Sequence, residues 1–474
     1  MKWMSTGDYD VARLVLQRGV ALAYLLAFIN MRNQFRPLLG EHGLMPVPTF
    51  LERVDFARAP SLFQWRYSDP MASGVAWAGV VLAALALFGG FDLVPVWLAL
   101  VGWIVLWVLY LSVVNVGQTF YGFGWESLLL EAGLCVAFLG NAQVATPVAT
   151  LFVLRWLLFR VEFGAGMIKM RGDPCWRDLT CLDYHHETQP MPSPTSRFFH
   201  LLPTSFHRIE TGSNHVAQLA APWLLFLPQP VAGIGASMII LTQAYLMLSG
   251  NYAWLNFVTL ILGFAAIPDT WFDAVGITVG SQPTTTTWFE WLVVAFTVGI
   301  VLLSRKPLLN LFSRNQRMNF SYNRYHLVNS YGAFGSVTRH RREVVVEGSI
   351  DGESWHAYEF RAKPTDPDRR PGQFAPYHLR LDWMMWFLAL SPRYGTGWFD
   401  RFVDRLLDAD AATLALLAND PFDGRAPMMI RARIVDYRFA TRDERRETGH
   451  VWMTGRSRDL LGPVTQDRGT QRGG

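Results

Sequence analysis

Long stretches without a charged residue restrict this chain to a small set of folds. Residues 71–90 and 93–117 contain no Asp, Glu, Lys or Arg. A run of about 18 or more apolar residues is long enough to cross a bilayer as a helix, and a helix satisfies its own backbone polar groups there. The sequence therefore predicts a polytopic α-helical membrane protein.

Similar apolar runs recur through the first two thirds of the chain. Only 17% of all residues are charged, whereas soluble domains carry about 25%. The net charge of +4 is mild, and the sequence has no basic stripe with interleaved aromatic residues, which argues against nucleic acid as a partner. About nine spans are predicted, near residues 13–31, 72–90, 93–114, 126–140, 146–163, 214–228, 231–249, 252–268 and 287–304.

The composition changes after the last predicted span. Residues 342–363 alternate between apolar and polar types on both sides of an Asp351-Gly352 pair, which is typical of two strands joined by a turn. Residues 427–441 predict another strand, and residues 398–420 have helical periodicity. We therefore expect a soluble, β-rich α+β domain in the C-terminal part. The predicted organisation is a membrane domain 1–304 with an inserted polar loop 164–213, a basic juxtamembrane connector 305–325, a soluble domain 326–460 and a disordered tail 461–474.

Two glutamates of the fourth predicted span and two arginines of the fifth are candidates for ion pairs. Glu126 and Glu131 precede the turn near Gln143, and two arginines follow it. Counted from Gln143, each Glu has an Arg at equal distance, so an antiparallel hairpin would pair Glu131 with Arg155. The same count pairs Glu126 with Arg160. Since charges within a membrane need partners, these pairs either hold the hairpin together or mark a polar cavity beside the loop.

The loop 164–213 contains a lysine at the mouth of the predicted helix bundle. Lys169 follows an apolar stretch, and burial lowers the pKa of a lysine and makes it a usable base or nucleophile. Lys169 is therefore a candidate catalytic residue. The alternative is a lysine that extends to the membrane interface or pairs with Asp173 or Asp178.

Two cysteines of the same loop are candidates for a disulfide or for thiol exchange. Cys175 and Cys181 could bridge in an oxidising compartment. If residues 175–181 were helical, the cysteines would lie about 9 Å apart along the axis, too far to bridge. The C-x2-C spacing typical of zinc sites is missing, and we predict no metal site.

The histidine pair of the loop also has two interpretations. His185 and Glu187 are candidate catalytic groups, but the adjacent His185 and His186 should point in different directions, so both cannot easily bind one metal. The alternative is a re-entrant plug whose polar groups satisfy one another and the ends of helices. The plug is expected to join Lys169, Asp173, Arg177, Asp178, His185 and Glu187. The wider binding and structural network also includes Gln189 and the four charged residues of the hairpin, Glu126, Glu131, Arg155 and Arg160.

An aromatic stripe occurs in the predicted soluble domain. Trp383, Trp386 and Phe387 would share one face of a helix. This face either forms part of the domain core or contacts the membrane or a client protein through Trp383 and Trp386.

The loop sequence "GAGMIKMRGDPCWRDLTCLDYHHETQPMPSPTSRFFH" closely resembles a characteristic segment of the lipase maturation factor family. Further matches occur in the family's order, in "NQFRPLLGEHGLMP", "FGWESLLLEAG", "SGNYAWLNFVTLIL", "EVVVEGSIDGESWHAYEF" and "HLRLDWMMWFLAL". The resemblance implies a polytopic membrane protein that helps exported proteins, lipases in particular, to fold. It implies residence in the endoplasmic reticulum for a eukaryotic member and in the plasma membrane for a bacterial one. The Arg/Ala/Val-rich composition favours a bacterial member.

A shorter segment resembles a different membrane protein. Gly166-Met-Ile-Lys169 followed by Trp176 is similar to a segment of the vitamin K-dependent γ-carboxylase in which the matching lysine is thought to be catalytic. This likeness implies an alternative function, a membrane-embedded enzyme that uses Lys169 at a lipid- or quinone-lined cavity. A maturation factor requires no cofactor, and none is predicted for it.

Two arguments about membrane orientation disagree. Basic residues cluster between 32 and 66 and between 305 and 324, which by the positive-inside rule favours a cytoplasmic C-terminal domain. The family resemblance implies the opposite, extracytoplasmic side, and long folded segments cross membranes largely regardless of charge. We expect the extracytoplasmic side, with the lipid bilayer and exported client proteins, lipases by resemblance, as partners.

Overall fold

The structure, a computed structural model, describes residues 5–278 and 286–466. Its N-terminal part is helical apart from two short strands, β1 (Ser5–Thr6) and β2 (Thr146–Pro147), which pair antiparallel. The helices of this part are α1 (Asp10–Leu39), α2 (Val47–Leu51), α3 (Asp69–Leu87), α4 (Val96–Val116), α5 (Gly124–Ala137), α6 (Val148–Arg171), α7 (Pro174–Arg177), α8 (Leu182–Thr188), α9 (Ser196–His200), α10 (Thr204–His215), α11 (Ala221–Leu224), α12 (Val231–Ser249), α13 (Leu255–Gly263), α14 (Asp269–Asp273), α15 (Thr287–Leu303) and α16 (Arg305–Phe312).

Five helical segments of the described chain are long and apolar enough to cross a membrane. They are α1, α3, α4, α12, and α15 together with α16. The longest, α1, has 30 residues and a length of about 45 Å. These segments match five of the predicted spans, those near residues 13–31, 72–90, 93–114, 231–249 and 287–304.

The other four predicted spans are not confirmed. α5 has 14 residues and α13 has 9, so each is short for a bilayer of ordinary thickness. α6 is long enough, with 24 residues, but it carries several charged side chains. The segment 214–228 is divided among the end of α10, a π-helical turn and α11. α5 and α13 pack against α1, so these short helices form an inner layer among the longer ones.

The predicted pairing of charges between α5 and α6 is wrong. Arg160, not Arg155, forms the buried ion pair with Glu131, which also accepts hydrogen bonds from the Asn329 amide (3.1 Å) and the Tyr331 hydroxyl (2.8 Å). Arg155 instead donates to the backbone carbonyl of Ala265, just after α13, at 2.9 Å. Positions five apart are about 140° apart around a helix, so only one of the two arginines can face α5. The equal count from Gln143 also fails as a guide to the pairing, since Glu131 is twelve residues from it and Arg160 is seventeen.

The C-terminal part contains a four-stranded antiparallel sheet in the order β4-β3-β5-β6. This confirms the predicted sheet in the C-terminal region. Its strands are β3 (Arg341–Ser349), β4 (His356–Ala357), β5 (Met429–Phe439) and β6 (Trp452–Thr465), and its helices are α17 (Arg380–Leu390), α18 (Phe399–Leu407), α19 (Ala411–Leu414) and α20 (Arg442–Thr448).

The turn between β3 and β4 is the one that the sequence predicted. Gly352 has a φ of 81°, a conformation that favours glycine, and the Asp351 carboxylate accepts the amide of Ser354 at 2.7 Å. The predicted start of a disordered tail is wrong, because residues 461–465 belong to β6, which pairs with β5. Residues 467–474 of the predicted tail lie outside the described residues.

Candidate functional site

The polar loop 164–213 lies between the membrane helices and the C-terminal sheet. Arg341, at the start of β3, is buried and donates to the carbonyls of Glu187 (2.8 Å), Gln189 (2.6 Å) and Pro190 (3.2 Å). These carbonyls lie at the end of α8, where backbone groups lack partners within the helix. The C-terminal domain therefore caps the loop, and Glu343 pairs with Arg341 at 2.5 Å.

Lys169 lies near the end of α6 and is 6% exposed. Its Nζ donates to Asn214 Oδ1 at 2.8 Å and to Gln218 Oε1 at 2.9 Å, and it lies 4.5 Å from the centre of the Trp176 ring. Neither aspartate that the sequence offered as a partner, at 173 or at 178, binds it. Two neutral amides hold the lysine instead, because the π-helical turn after α10 packs directly on α6.

The other charged residues at the start of the loop serve helix ends. Asp173 accepts the amide of Cys175 at 3.1 Å and caps α7, and Arg177 donates to the carbonyl of Met170 at 3.0 Å. Asp178 is exposed. The prediction that these groups bond to one another is wrong, while the prediction that they bond to helix ends holds for Asp173 and Arg177. Short helices have many unpaired backbone groups at their ends, and these side chains satisfy some of them.

Cys175 and Cys181 form a disulfide, with Cα atoms 4.8 Å apart. The predicted obstacle, a continuous helix from 175 to 181, does not exist. α7 ends at Arg177, and Leu179 has a φ of 59°, which turns the chain back on itself. Both cysteines are buried in a small apolar cluster together with Trp176.

α8 and the residue after it contain three of the predicted site residues. His185 Nε2 lies 3.1 Å from the Tyr252 hydroxyl, which donates to Gln189 Oε1 at 2.5 Å. Burial lowers the pKa of His185 to about 3, so this ring is neutral near pH 7. The Glu187 carboxylate accepts the amide of Phe439, in β5, at 2.6 Å, and burial raises its pKa. These residues connect the loop to Tyr252 and to the sheet.

The adjacent histidines diverge as predicted. The ring of His186 faces Glu210, with Nε2 at 3.1 Å from Oε1, while the ring of His185 faces Tyr252. The two ring centres are 6.4 Å apart. His185 and His186 therefore have separate partners.

A cavity of about 790 Å³ lies beside Lys169. Its walls come from α6, α10, α12 and α13, from residues 331–336, and from α17 of the C-terminal domain. Ile209 and Leu241, which are 68% and 70% exposed, line its rim, so it opens between α10 and the candidate span α12. Most of the lining is apolar, which suits an apolar chain better than a polar solute.

Buried polar groups line one wall of this cavity. The Glu162 carboxylate accepts a hydrogen bond from Gln243 Nε2 at 2.6 Å, and Gln218 lies close to both Glu162 and Lys169. The cavity therefore brings a buried acid and a buried amine near an apolar space. Sequence reasoning did not single out Glu162. Its position in the apolar part of α6, about two helical turns before Lys169, is nevertheless a signal of a buried polar site.

The aromatic stripe lies on a helix, α17, and its two tryptophans have different surroundings. Trp383 is 3% exposed and its ring centre lies 4.7 Å from that of Trp125, in α5. Trp386 is half-buried, lines the cavity and donates to the carbonyl of Thr188 at 3.3 Å. The burial of Trp383 fits the core interpretation and leaves it no surface for a client or for lipid.

A buried ion pair joins the C-terminal domain to the helical part of the chain. Arg380, at the start of α17, donates to Glu126 Oε1 at 2.7 Å, to Asn30 Oδ1 at 2.8 Å and to the carbonyl of Phe120 at 2.7 Å. Arg160, the predicted partner of Glu126, pairs with another residue. Sequence reasoning missed Arg380, because nothing in its neighbourhood marks a partner 254 residues away.

Comparison with family models gives two matches that together cover most of the chain. The model described as the lipase maturation factor transmembrane domain matches residues 11–274. The model described as the lipase maturation factor C-terminal domain matches residues 327–461.

Comparison with individual proteins agrees with these matches. Lipase maturation factor 1 of Bos taurus is 36% identical over 97% of this chain and 89% of its own length, and that of Homo sapiens is 36% identical over 98% and 91%. Lipase maturation factor 2 of Gallus gallus is 28% identical over 89% of this chain and 76% of its own length. No solved structure matches. These comparisons lend no support to the likeness to the γ-carboxylase or to a bacterial origin.

Proposed function

We propose, because this chain belongs to the lipase maturation factor family, that it is an integral membrane protein that brings exported lipases to their active fold. The observation that carries the proposal is the extent of the match, which covers both the helical part and the C-terminal part. These two parts share buried contacts through Arg341 and Arg380. A maturation factor of this design would present a rigid surface to its client.

A co-expression experiment tests this function. A secreted lipase is produced in cells that lack their own maturation factor, with and without this chain, and the specific activity of the secreted lipase is measured. We expect a severalfold rise with the full chain. A secreted phosphatase produced in the same cells is the control and should not change. Equal lipase activity with and without the chain contradicts the proposal.

The cavity beside Lys169 is the observation that favours the enzymatic alternative. A reactive lysine must be able to lose its proton and must face an open space, and Lys169 does line the cavity. It also donates to two amide oxygens, which is what a structural lysine requires. The comparisons favour the maturation role, so we assign Lys169 to the network that holds α6 against α10.

Replacing Lys169 by arginine separates the two functions. Arginine keeps the positive charge and can still donate to Asn214 and Gln218, but it does not deprotonate near neutral pH. We expect the Lys169→Arg protein to keep most of its lipase maturation activity, with a loss of stability of about 1 kcal/mol from the changed shape. Lipase activity and the melting temperature in detergent are the measurements. A Lys169→Arg protein that folds normally and loses all activity would overturn the structural assignment.

We further propose that the C-terminal domain lies on the extracytoplasmic side. The disulfide between Cys175 and Cys181 supports this side, because disulfides persist in oxidising compartments. The loop that carries the disulfide contacts the C-terminal sheet through Glu187 and Phe439. The loop and the sheet would therefore share one compartment.

The two ends of α1 lie near different parts of the chain. Arg13, near its start, donates to the carbonyl of Val144 at 3.1 Å, whereas Gln34, near its end, donates to the carbonyl of His378 at 2.8 Å. Since α1 is long enough to cross a membrane, the turn around residue 142 and the C-terminal domain would lie on opposite sides.

Cysteine labelling tests this orientation. Ser354 is exposed in the turn after β3, and Ala142 is exposed in the loop before β2. We expect a thiol reagent that cannot cross membranes to label Ser354→Cys on intact bacterial cells that express the chain, and to label Ala142→Cys only after permeabilisation. The natural cysteines give little background, because Cys135 is buried and the other two are bridged. The reverse pattern of labelling would place the C-terminal domain in the cytoplasm.

A further inference from the structure

Three side chains of the polar loop bring potential metal ligands together at the edge of the cavity. His186 lies on α8, and His207 and Glu210 lie three residues apart on the same face of α10. One donor atom from each lies within 4.8 Å of the other two. We call these three residues the His–Glu cluster. Their side chains are 3%, 3% and 10% exposed, so the ligand atoms are largely shielded from water.

The ring of His207 lies between two oxygen acceptors, which an imidazolium, or a neutral ring with a cation bound at one nitrogen, can satisfy. Its Nδ1 lies 2.9 Å from Asp183 Oδ1, and its Nε2 lies 2.9 Å from the backbone carbonyl of Phe199. A neutral imidazole has one N–H and one lone pair, so it can donate to only one of these two oxygens. When Nδ1 donates to Asp183, the Nε2 lone pair faces the carbonyl oxygen. A metal ion beside Nε2 would turn this unfavourable contact into shared coordination.

The other two ligands are held in place in a similar way. His186 Nε2 lies 3.1 Å from one oxygen of Glu210 and 3.2 Å from the other. The Tyr245 hydroxyl donates to Glu210 Oε1 at 2.7 Å. Metal-binding histidines and carboxylates usually have such second partners, which fix their orientation. Asp183 has this role for His207, and Tyr245 has it for Glu210.

We propose that the His–Glu cluster binds a zinc ion through one nitrogen each of His186 and His207 and a carboxylate oxygen of Glu210, with the Phe199 carbonyl within reach as a fourth ligand. Two imidazoles and a carboxylate suit Zn²⁺, whereas Mg²⁺ and Ca²⁺ prefer oxygen ligands. Ligand atoms of a tetrahedral zinc lie about 3.3 Å apart, so binding draws the widest pair closer by up to about 1.5 Å. The ion would tie α8, α9 and α10 together. This site does not depend on the lipase maturation function.

Zinc binding by the purified full-length protein in detergent tests the proposal. The protein is loaded with ZnCl₂, passed through a desalting column, and analysed for zinc by mass spectrometry and by competition with a chromophoric chelator. We expect one zinc per chain, with excess Mg²⁺ unable to displace it. His186→Gln and His207→Gln should each weaken zinc binding by at least about 100-fold, since each removes a ligand. His215→Gln is the matched control, because His215 is a half-buried histidine of α10 outside the cluster, and it should bind zinc like the unchanged protein.

Asp183→Asn keeps the test decisive if the histidine variants do not fold. It preserves the size of the side chain and removes the charge that orients His207, so zinc affinity should fall on the order of 10-fold to 100-fold. The fold of each variant is checked by circular dichroism and gel filtration. No zinc on the unchanged protein, or equal zinc affinity in the Asp183→Asn, His186→Gln and unchanged proteins, would overturn the proposal.

Discussion

Replacing Arg380 by methionine should lower the free energy of unfolding by about 3–5 kcal/mol, the usual effect of breaking a buried ion pair from one side. The Glu126 carboxylate would remain fully buried, with the Tyr110 hydroxyl and His378 as its other partners. Arg380 also donates to Asn30 and to the carbonyl of Phe120, so the variant leaves further acceptors without this donor. Denaturant titration in mild detergent, followed by tryptophan fluorescence, measures the change.

Two further variants make this result specific. Glu126→Gln combined with Arg380→Met removes both charges, and we expect the double variant to be more stable than Arg380→Met alone. Arg393→Met changes an exposed arginine just after α17 and should alter the stability by less than about 0.5 kcal/mol. If Arg380→Met is as stable as the control, the ion pair between the two parts does not contribute as described.

Replacing Arg341 by methionine should have an effect of similar size, about 3–5 kcal/mol, for a different reason. The variant removes the donor for the carbonyls of Glu187, Gln189 and Pro190 and leaves Glu343 with a lysine, at 3.3 Å, as its charged partner. We therefore expect the polar loop to separate from the sheet before the rest of the protein unfolds. Trypsin should cut the loop of the variant faster than that of the unchanged protein, and the unfolding midpoint should fall.

Arg342 provides a control on the same strand. It is the next residue of β3, its side chain is 48% exposed, and its contact with Asp436 is 3.9 Å long. Because exposed pairs contribute about 0–1 kcal/mol, Arg342→Met should change neither the unfolding midpoint nor the rate of trypsin cleavage appreciably. Similar cleavage of the Arg341→Met and Arg342→Met loops would show that the cap on α8 is not what holds the loop in place.

The elements that the sequence predicted well depend on local patterns. The apolar runs that became α3, α4 and α12 are nearly free of charge, and a helix satisfies the backbone of such a run in lipid. The Asp351-Gly352 turn was predictable because Gly352 can adopt the positive φ that the turn requires. In each case one short segment contains all the necessary information.

The partners of the buried charges could not be predicted in the same way. Counting residues from the turn matched Glu131 with Arg155, each twelve residues from Gln143, but the partner of Glu131 is Arg160, seventeen residues from it. The partner of Glu126 comes from the C-terminal domain, and nothing local in the sequence specifies so distant a contact. A side chain's direction depends on the packing of whole helices, which periodicity in one helix does not determine.

The disulfide was predicted as one alternative, and the argument against it failed for a local reason. Treating residues 175–181 as helical separated the two sulfurs. The chain instead reverses at Leu179, where a residue other than glycine adopts a positive φ. Few non-glycine residues do so, and a leucine gives no signal of it in the sequence.

The bond between Arg380 and Glu126 also has a consequence for the order in which the protein is made. Glu126 leaves the ribosome 254 residues before its partner, so the helical part is inserted with a carboxylate that this arginine does not yet neutralise. Only a chain translated through α17 can complete this contact. A product that ends before α17 keeps the Glu126 carboxylate in its helical part without this arginine, which is the costly state of a broken ion pair.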